Sequence, residues 1–289
     1  MKHSQIIQSS DGTPIWCGTL GKGPTLVLCD GFACDGFIWA HVIDQFCEDY
    51  TIVRWHYRGH GRSGLPEDLE RLSMEDICDD MLSVLDALEI EEAIFLGHSM
   101  GVQVLFQAYS MYPERMRALI PICGTYMRPL ETFNDSDVLA RMLPYIDKVT
   151  SMAPAAAQRL WETLLNTQLS YALAHLTELN HRLVHGEDFR PYLEHTGNMD
   201  VRVYVGMLKH LAEHSAEDIL PTIDIPTLIL ASEFDSFTPL HRSQRMHELI
   251  QGSEMVVLPG GSHAGPIELH ETVNAAIEHF LHVHGFGPS

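Results

Sequence analysis

The residues with the most chemical content surround Ser99, which has Gly97 and Gly101 two positions to either side. Glu92-Ala93-Ile94-Phe95-Leu96 leads in as a short buried-strand pattern. Val104, Leu105, Ala108 and Tyr112 lead out at helical spacing until Pro113 stops the run. A serine on a sharp strand-to-helix turn is what a nucleophile elbow requires, with glycines where Cβ atoms would crowd. A serine hydroxyl is a poor nucleophile until an imidazole takes its proton, and a carboxylate must hold that imidazole in the right tautomer. Two later loops carry such groups. Asp235 lies in Ala231-Ser232-Glu233-Phe234-Asp235-Ser236-Phe237-Thr238-Pro239, after the strand pattern Leu228-Ile229-Leu230. His263 lies in Gly260-Gly261-Ser262-His263-Ala264-Gly265, after the last strand pattern. Glu233 competes with Asp235 as the acid. His270 competes with His263, but of the 18 histidines only His263 sits in a glycine-flanked loop after a strand.

These loops must be positioned by a scaffold, and the first half of the chain alternates strand and helix patterns. Ile6-Ile7 and Ile15-Trp16-Cys17 flank Ser10-Asp11-Gly12 as an antiparallel hairpin. Thr25 to Cys29 and Thr51 to Trp55 read as strands, with a helix carrying Trp39, Val42, Ile43 and Phe46 between them. A longer helix runs from about Met74 to Leu88, opened by a capping-box-like Ser73 and Asp76. Ala118 to Ile122 is a further strand. From Tyr126 to about Ile219 only helical stretches appear: Val138 to Ile146, Pro154 to Leu165, Ser170 to Val184 and Val201 to His214. Strands resume at Pro226 to Ala231 and Met255 to Leu258, and a last helix stops at Gly285. The expected class is α/β: a mostly parallel sheet of about eight strands, helices on both faces, and an inserted helical cap. The expected units are residues 1–125 and 220–289 for the core and 126–219 for the cap.

Composition narrows the partners. The formal charge of −21 argues against nucleic acid or an anionic membrane surface. No stretch reaches a membrane span and no apolar signal region opens the chain, so a cytoplasmic location is expected. The six cysteines show no C-x-x-C pair, which predicts reduced thiols. Were most histidines exposed, mild acid near the isoelectric point of 5.1 would cancel most of the negative charge. His181/His185 and His210/His214 have the i, i+4 spacing of metal-binding pairs. No third ligand accompanies them, so they read as solvated helix faces, and neither metal nor cofactor is expected.

Together these motifs resemble the α/β-hydrolase family over nearly the whole chain, in a form with an inserted helical cap. The chain order Ser, Asp, His matches the family's order. Leu28-Cys29-Asp30-Gly31-Phe32 resembles its oxyanion loop, and Arg58-Gly59-His60-Gly61-Arg62-Ser63 resembles its R-G-x-G-x-S loop. The resemblance implies Ser99 as nucleophile, His263 as base and then acid, and Asp235 as the orienting acid. It also implies the backbone N–H groups of Phe32 and Met100 as oxyanion donors. His60 and His98 belong to the motifs as structural residues, and Arg58 and Arg62 are expected to order their loop through backbone contacts. Asp30 stands where the family commonly has His. It is expected to be a structural acceptor, or else a charge that disfavours anionic substrates. Serine at the elbow excludes the branches that attack alkyl halides or epoxides, which need Asp there. The expected reaction is hydrolysis of a small-molecule carboxylic ester. A lactonase or enol-lactonase, a dione carbon–carbon hydrolase or a perhydrolase-like activity would use the same residues, and a binding protein with little turnover is the reading from another class. The cap would set substrate limits, with Trp161, Tyr171, Met199 and Met207 giving it an apolar character, and the expected substrate contacts are Asp30 from the core and Trp161 and Met207 from the cap.

Overall fold

Short apolar strands alternating with amphipathic helices assemble one eight-stranded sheet in the computed structural model, which describes residues 3–131, 136–165 and 190–287. The strands are β1 (His3–Gln8), β2 (Pro14–Gly21), β3 (Thr25–Cys29), β4 (Thr51–Trp55), β5 (Ala93–His98), β6 (Met116–Ile122), β7 (Leu228–Ser232) and β8 (Glu254–Leu258). Their spatial order is β1-β2-β4-β3-β5-β6-β7-β8. β1 and β2 form the expected hairpin, with Ile7 opposite Ile15, and β2 runs antiparallel to β4. Every pairing from β4 to β8 is parallel. β5 is buried at all its positions, as a parallel strand covered on both faces must be.

The helices are α1 (Ala40–Phe46), α2 (Met74–Ala87), α3 (Met100–Met111), α4 (Val138–Met152), α5 (Pro154–Leu165), α6 (Arg190–Asn198), α7 (Val201–Glu213), α8 (Leu240–Leu249), α9 (Gly265–Glu268) and α10 (His270–Val283). Side-chain alternation along β5 splits the core in two. Phe95 packs with α2 and α3 residues such as Ile77, Met81 and Phe106. Leu96 packs on the other face with Trp39, which precedes α1, and with Val42, Ile277 and Phe280 of the α1 and α10 layer. The Ser73–Asp76 capping box opens α2 in both directions, an arrangement that stabilises a helix start by about 1 kcal/mol. All six cysteines are free thiols. Among the described residues, no helix is long and apolar enough to cross a membrane.

Between β6 and β7 the described regular structure is almost wholly helical, comprising α4 to α7 and two short 3-10 turns at Pro129–Glu131 and Leu220–Thr222. The chain leaves and re-enters the core through one narrow neck. Met127 bridges Ser215 antiparallel, Ala216 N–H donates to the Tyr126 carbonyl, and Arg128 N–H donates to the His214 carbonyl. α4 continues to Met152, past the expected end at Ile146, with Pro144 accommodated inside it. α6 has no counterpart in the sequence pattern, because its polar residues and Pro191 give no apolar stripe. The expected helix from Ser170 to Val184, with Tyr171 and the His181/His185 pair, lies outside the described residues.

Candidate active site

Ser99 is the hinge between β5 and α3, and its backbone sits at φ 55° and ψ −116°, a conformation L-residues rarely adopt. Close packing holds it there. A Cβ on Gly101 would come 2.2 Å from the Cys29 carbonyl oxygen at the end of β3. The main chain of Gly31 also presses on the turn, since a Cβ there would lie 3.3 Å from Ser99 Cβ. Gly97 and Gly101 are therefore needed for the approach of backbone to backbone, whereas Gly31 leaves room for the side chains of His98, Cys34 and Ser99.

The three sequence-selected side chains meet from three loops. His263 Nε2 lies 2.9 Å from Ser99 Oγ, and His263 Nδ1 lies 2.9 Å from Asp235 Oδ2. Asp235 is 5% exposed. Burial alone would raise its pKa, but His263 and the hydrogen bonds around it hold the carboxyl below its ordinary value. Those bonds come from the N–H groups of Phe237 and Thr238 and from the Thr238 hydroxyl. The ionised Oδ2 accepts the Nδ1 proton, which leaves Nε2 as the acceptor for the serine hydroxyl. Phe237 stacks on the His263 ring at 4.8 Å. The His263 loop is fixed at both sides. Glu268 accepts from the Ser262 N–H and hydroxyl, and His98 Nε2–H donates to the His263 carbonyl at 2.9 Å. Burial, followed by the neighbouring His263, lowers His98 to about 3, so its ring is neutral and its role is positional.

The two expected oxyanion donors lie around the same serine. Met100 is the first residue of α3, and N–H groups in a helix's first turn have no intrahelical acceptor. Phe32 follows Gly31 in a loop held by neighbours: Tyr57 Oη donates to the Asp30 carbonyl, and Ala33 N–H donates to His60 Nε2. His60 in turn donates from Nδ1 to the Arg58 carbonyl. Arg58 is fully buried and bonds both oxygens of Asp80, as well as Asp11 and two backbone carbonyls. Its anchoring thus uses carboxylates as much as backbone. Arg62 differs from expectation: its guanidinium lies over the Trp16 ring, and its backbone N–H caps His56 Nδ1.

The site opens on a cavity of about 380 Å³. Core residues Phe32, Phe37 and Ile38 line one side, and Leu139, Trp161 and Tyr204 from the helical insertion line the other. Of the three expected substrate contacts, only Trp161 belongs to this wall, with Nε1 tied to the Thr196 carbonyl. Met207 is fully buried among core side chains, because α7 turns that position inward, away from the cavity. Asp30 also lies outside the wall. It is 3% exposed and accepts a 2.7 Å hydrogen bond from Trp39 Nε1, the structural role. Burial raises its carboxyl to about 7 against the opposing pull of Arg54 and Trp39. Glu233 faces away and accepts from the Gly260 N–H, while His270 stacks on His41. His214 is not a solvated helix residue: its two ring nitrogens meet Gln103 and Gln107. Nothing in the sequence pattern singles out Gln103, although its position one helical turn after Ser99 is a usable signal.

The α/β-hydrolase fold profile matches residues 24–268 of this sequence. The chain belongs to the alpha/beta hydrolase family. A curated relative similar over most of its length is the "Putative carbamate hydrolase RutD" of Agrobacterium fabrum (strain C58 / ATCC 33970), 26% identical over 91% of this chain and 95% of the relative. The "Bifunctional epoxide hydrolase 2" of Mus musculus is 32% identical, but over 38% of this chain and 20% of that protein. The chain thus spans about a fifth of the length of the bifunctional epoxide hydrolases it matches. Among solved structures, the thermophilic esterase from Thermogutta terrifontis superposes with a TM-score of 0.80 at 21% identity, over 98% of this chain and 99% of the esterase. That likeness concerns the fold.

Proposed function

We propose that this hydrolase cleaves carboxylic esters of small, largely apolar molecules through an acyl-enzyme on Ser99. The observation that carries the reading is the unbroken chain Asp235–His263–Ser99, with both contacts at 2.9 Å, at the mouth of an apolar-lined cavity. His263 Nε2 takes the Ser99 proton as Oγ attacks the ester carbonyl, and Asp235 steadies the imidazolium. The Phe32 and Met100 N–H groups receive the developing oxyanion, donors of a kind typically worth about 10²–10³ in rate each. His263 then protonates the leaving alcohol, and a water activated by the same imidazole releases the acid. The helices between β6 and β7 act as a cap that shapes the substrate pocket. Serine at the elbow disfavours the epoxide chemistry named for the partial relatives, whose branch attacks with a carboxylate. Lactones and vinylogous diketones would be opened by the same groups.

The test is turnover of p-nitrophenyl acetate through octanoate by the wild-type chain and by Ser99→Ala. Release of p-nitrophenol should fall by about 10⁴-fold or more in the variant. Equal release by both proteins would sink the ester reading. The same panel extended to lactones and vinylogous diketones ranks the three bond types.

A further inference from the structure

We propose that Gln103 is a specificity residue whose side-chain carbonyl accepts a hydrogen bond from a hydroxyl or N–H group of the substrate. This inference rests on the ester-hydrolase reading of Ser99. It would make the preferred substrate an ester with one donor group set into an otherwise apolar body.

Gln103 lies on α3 four residues after Ser99, about 6 Å further along the helix axis and on the same face. It belongs to the cavity wall, where that helix meets Leu208 and Leu211 of α7. Its side chain is oriented by a local network. Gln103 Nε2–H donates to His214 Nδ1 at 2.9 Å, and His214 Nε2–H donates to Gln107 Oε1 at 3.1 Å. Both contacts agree with one neutral tautomer of His214, whose pKa burial lowers to about 4. With Nε2 engaged, the other end of the Gln103 amide is Oε1. This atom is buried and accepts no hydrogen bond, in a residue 1% exposed. An unmet buried acceptor is unfavourable, and a ligand donor would remove the penalty. Oε1 has almost no accessible surface as placed, so meeting a donor requires a turn of the amide plane about its soft torsion, which also shifts the Nε2–His214 contact.

Three other polar groups in the wall are engaged within the protein. Thr125 Oγ1 bonds to Met127, Thr238 Oγ1 to Asp235, and Trp161 Nε1 to Thr196. Among the described wall residues, His98 Nδ1 is the other buried side-chain nitrogen or oxygen without a partner. It abuts the Gly31 main chain, where a Cβ would lie 3.1 Å away, so a substrate group has no room there. Gln103 thus gives this largely apolar pocket a buried acceptor with no protein partner.

The experiment compares kcat/KM for matched esters that differ by one hydroxyl. On the acyl side these are p-nitrophenyl phenylacetates and 3-phenylpropanoates bearing hydrogen, hydroxyl or methoxy at the meta or para position. On the alcohol side they are hexanoate esters of ethane-, propane- and butanediol against their methyl ethers. At one position the wild-type enzyme should accept the hydroxylated ester at least as well as its unsubstituted or methylated partner. In Gln103→Met that hydroxyl-to-parent ratio should fall about tenfold or more, while Gln103→Glu, which keeps an acceptor, should retain it. The wild-type ratios alone remain informative if either variant folds poorly. A hydroxyl penalty at every position in the wild type, or a ratio unchanged in Gln103→Met, overturns the proposal. Loss of Ser99-dependent turnover on the parent esters would instead overturn the ester reading itself.

Discussion

At the residue scale, Asp235 and Asp30 are both buried carboxyls held in opposite states. Asp235 is ionised because His263 and three donors outweigh its burial. Asparagine there would present an amide to His263 Nδ1 and favour the wrong tautomer. Asp235→Asn should therefore lower kcat by about 10⁴ with the fold retained, as read by ester turnover beside a circular-dichroism melt. Asp30 has one neutral donor, Trp39, and its pKa rises to about 7. The folded protein then keeps a proton between roughly pH 4 and 7 that the unfolded chain has lost, so this group removes stability as pH rises through that window. Asp30→Asn keeps an acceptor for Trp39 without the ionisation. The variant should melt higher than wild type at pH 8, by the equivalent of about 1–4 kcal/mol, and the gap should close towards pH 4. A wild-type advantage at pH 8 would contradict this assignment.

At the element scale, catalytic geometry depends on how closely α3 approaches the end of β3. Gly101 allows that approach, since a Cβ would meet the Cys29 carbonyl at 2.2 Å and the Asp30 carbonyl at 2.9 Å. Gly101→Ala must push the helix or the Asp30-Gly31-Phe32 loop aside, changing the distance between Ser99 and the Phe32 N–H. The expected outcome is a loss of about 1–3 kcal/mol in denaturant melts and a kcat reduced by about 10²-fold or more. Wild-type kcat in this variant would mean that the loop position is not critical. These elements were legible in outline beforehand. The strands, the α2 capping box and the proline-started α5 follow from local patterns. The extension of α4 through Pro144 and the existence of α6 do not, because packing against neighbouring helices overrides weak or interrupted local preference.

At the scale of the whole molecule, the 18 histidines are not one titrating population. His56, His60 and His98 are almost fully buried and lowered to about 3, chiefly by burial. They stay neutral at pH 5, so mild acid cancels less of the −21 charge than composition suggests. Stability carries the consequence. Below about 6.5 the unfolded chain takes up protons that these rings refuse in the folded state, so stability declines as pH falls from 6.5 towards 3. Each ring should forfeit about 2 kcal/mol by pH 5, a large share of ordinary domain stability when summed. Urea melts of Asp30→Asn, which lacks the opposing carboxyl titration, at pH 7.5, 6 and 5 should show a steep fall in the midpoint, and a constant midpoint would refute the assignment.

The sequence by itself determined the sheet-and-helix alternation, the serine turn with its glycines, and the two loops carrying Asp235 and His263. Those features are written in short-range steric and periodic rules, and strand-end loops in a parallel sheet converge on one edge. Only the tertiary structure decided which side chains face the cavity. It turned Met207 into the core, tied Asp30 to Trp39, and placed Gln103 in the cavity wall against His214. The direction of a side chain in the insertion depends on contacts between helices far apart in sequence, which no local pattern encodes.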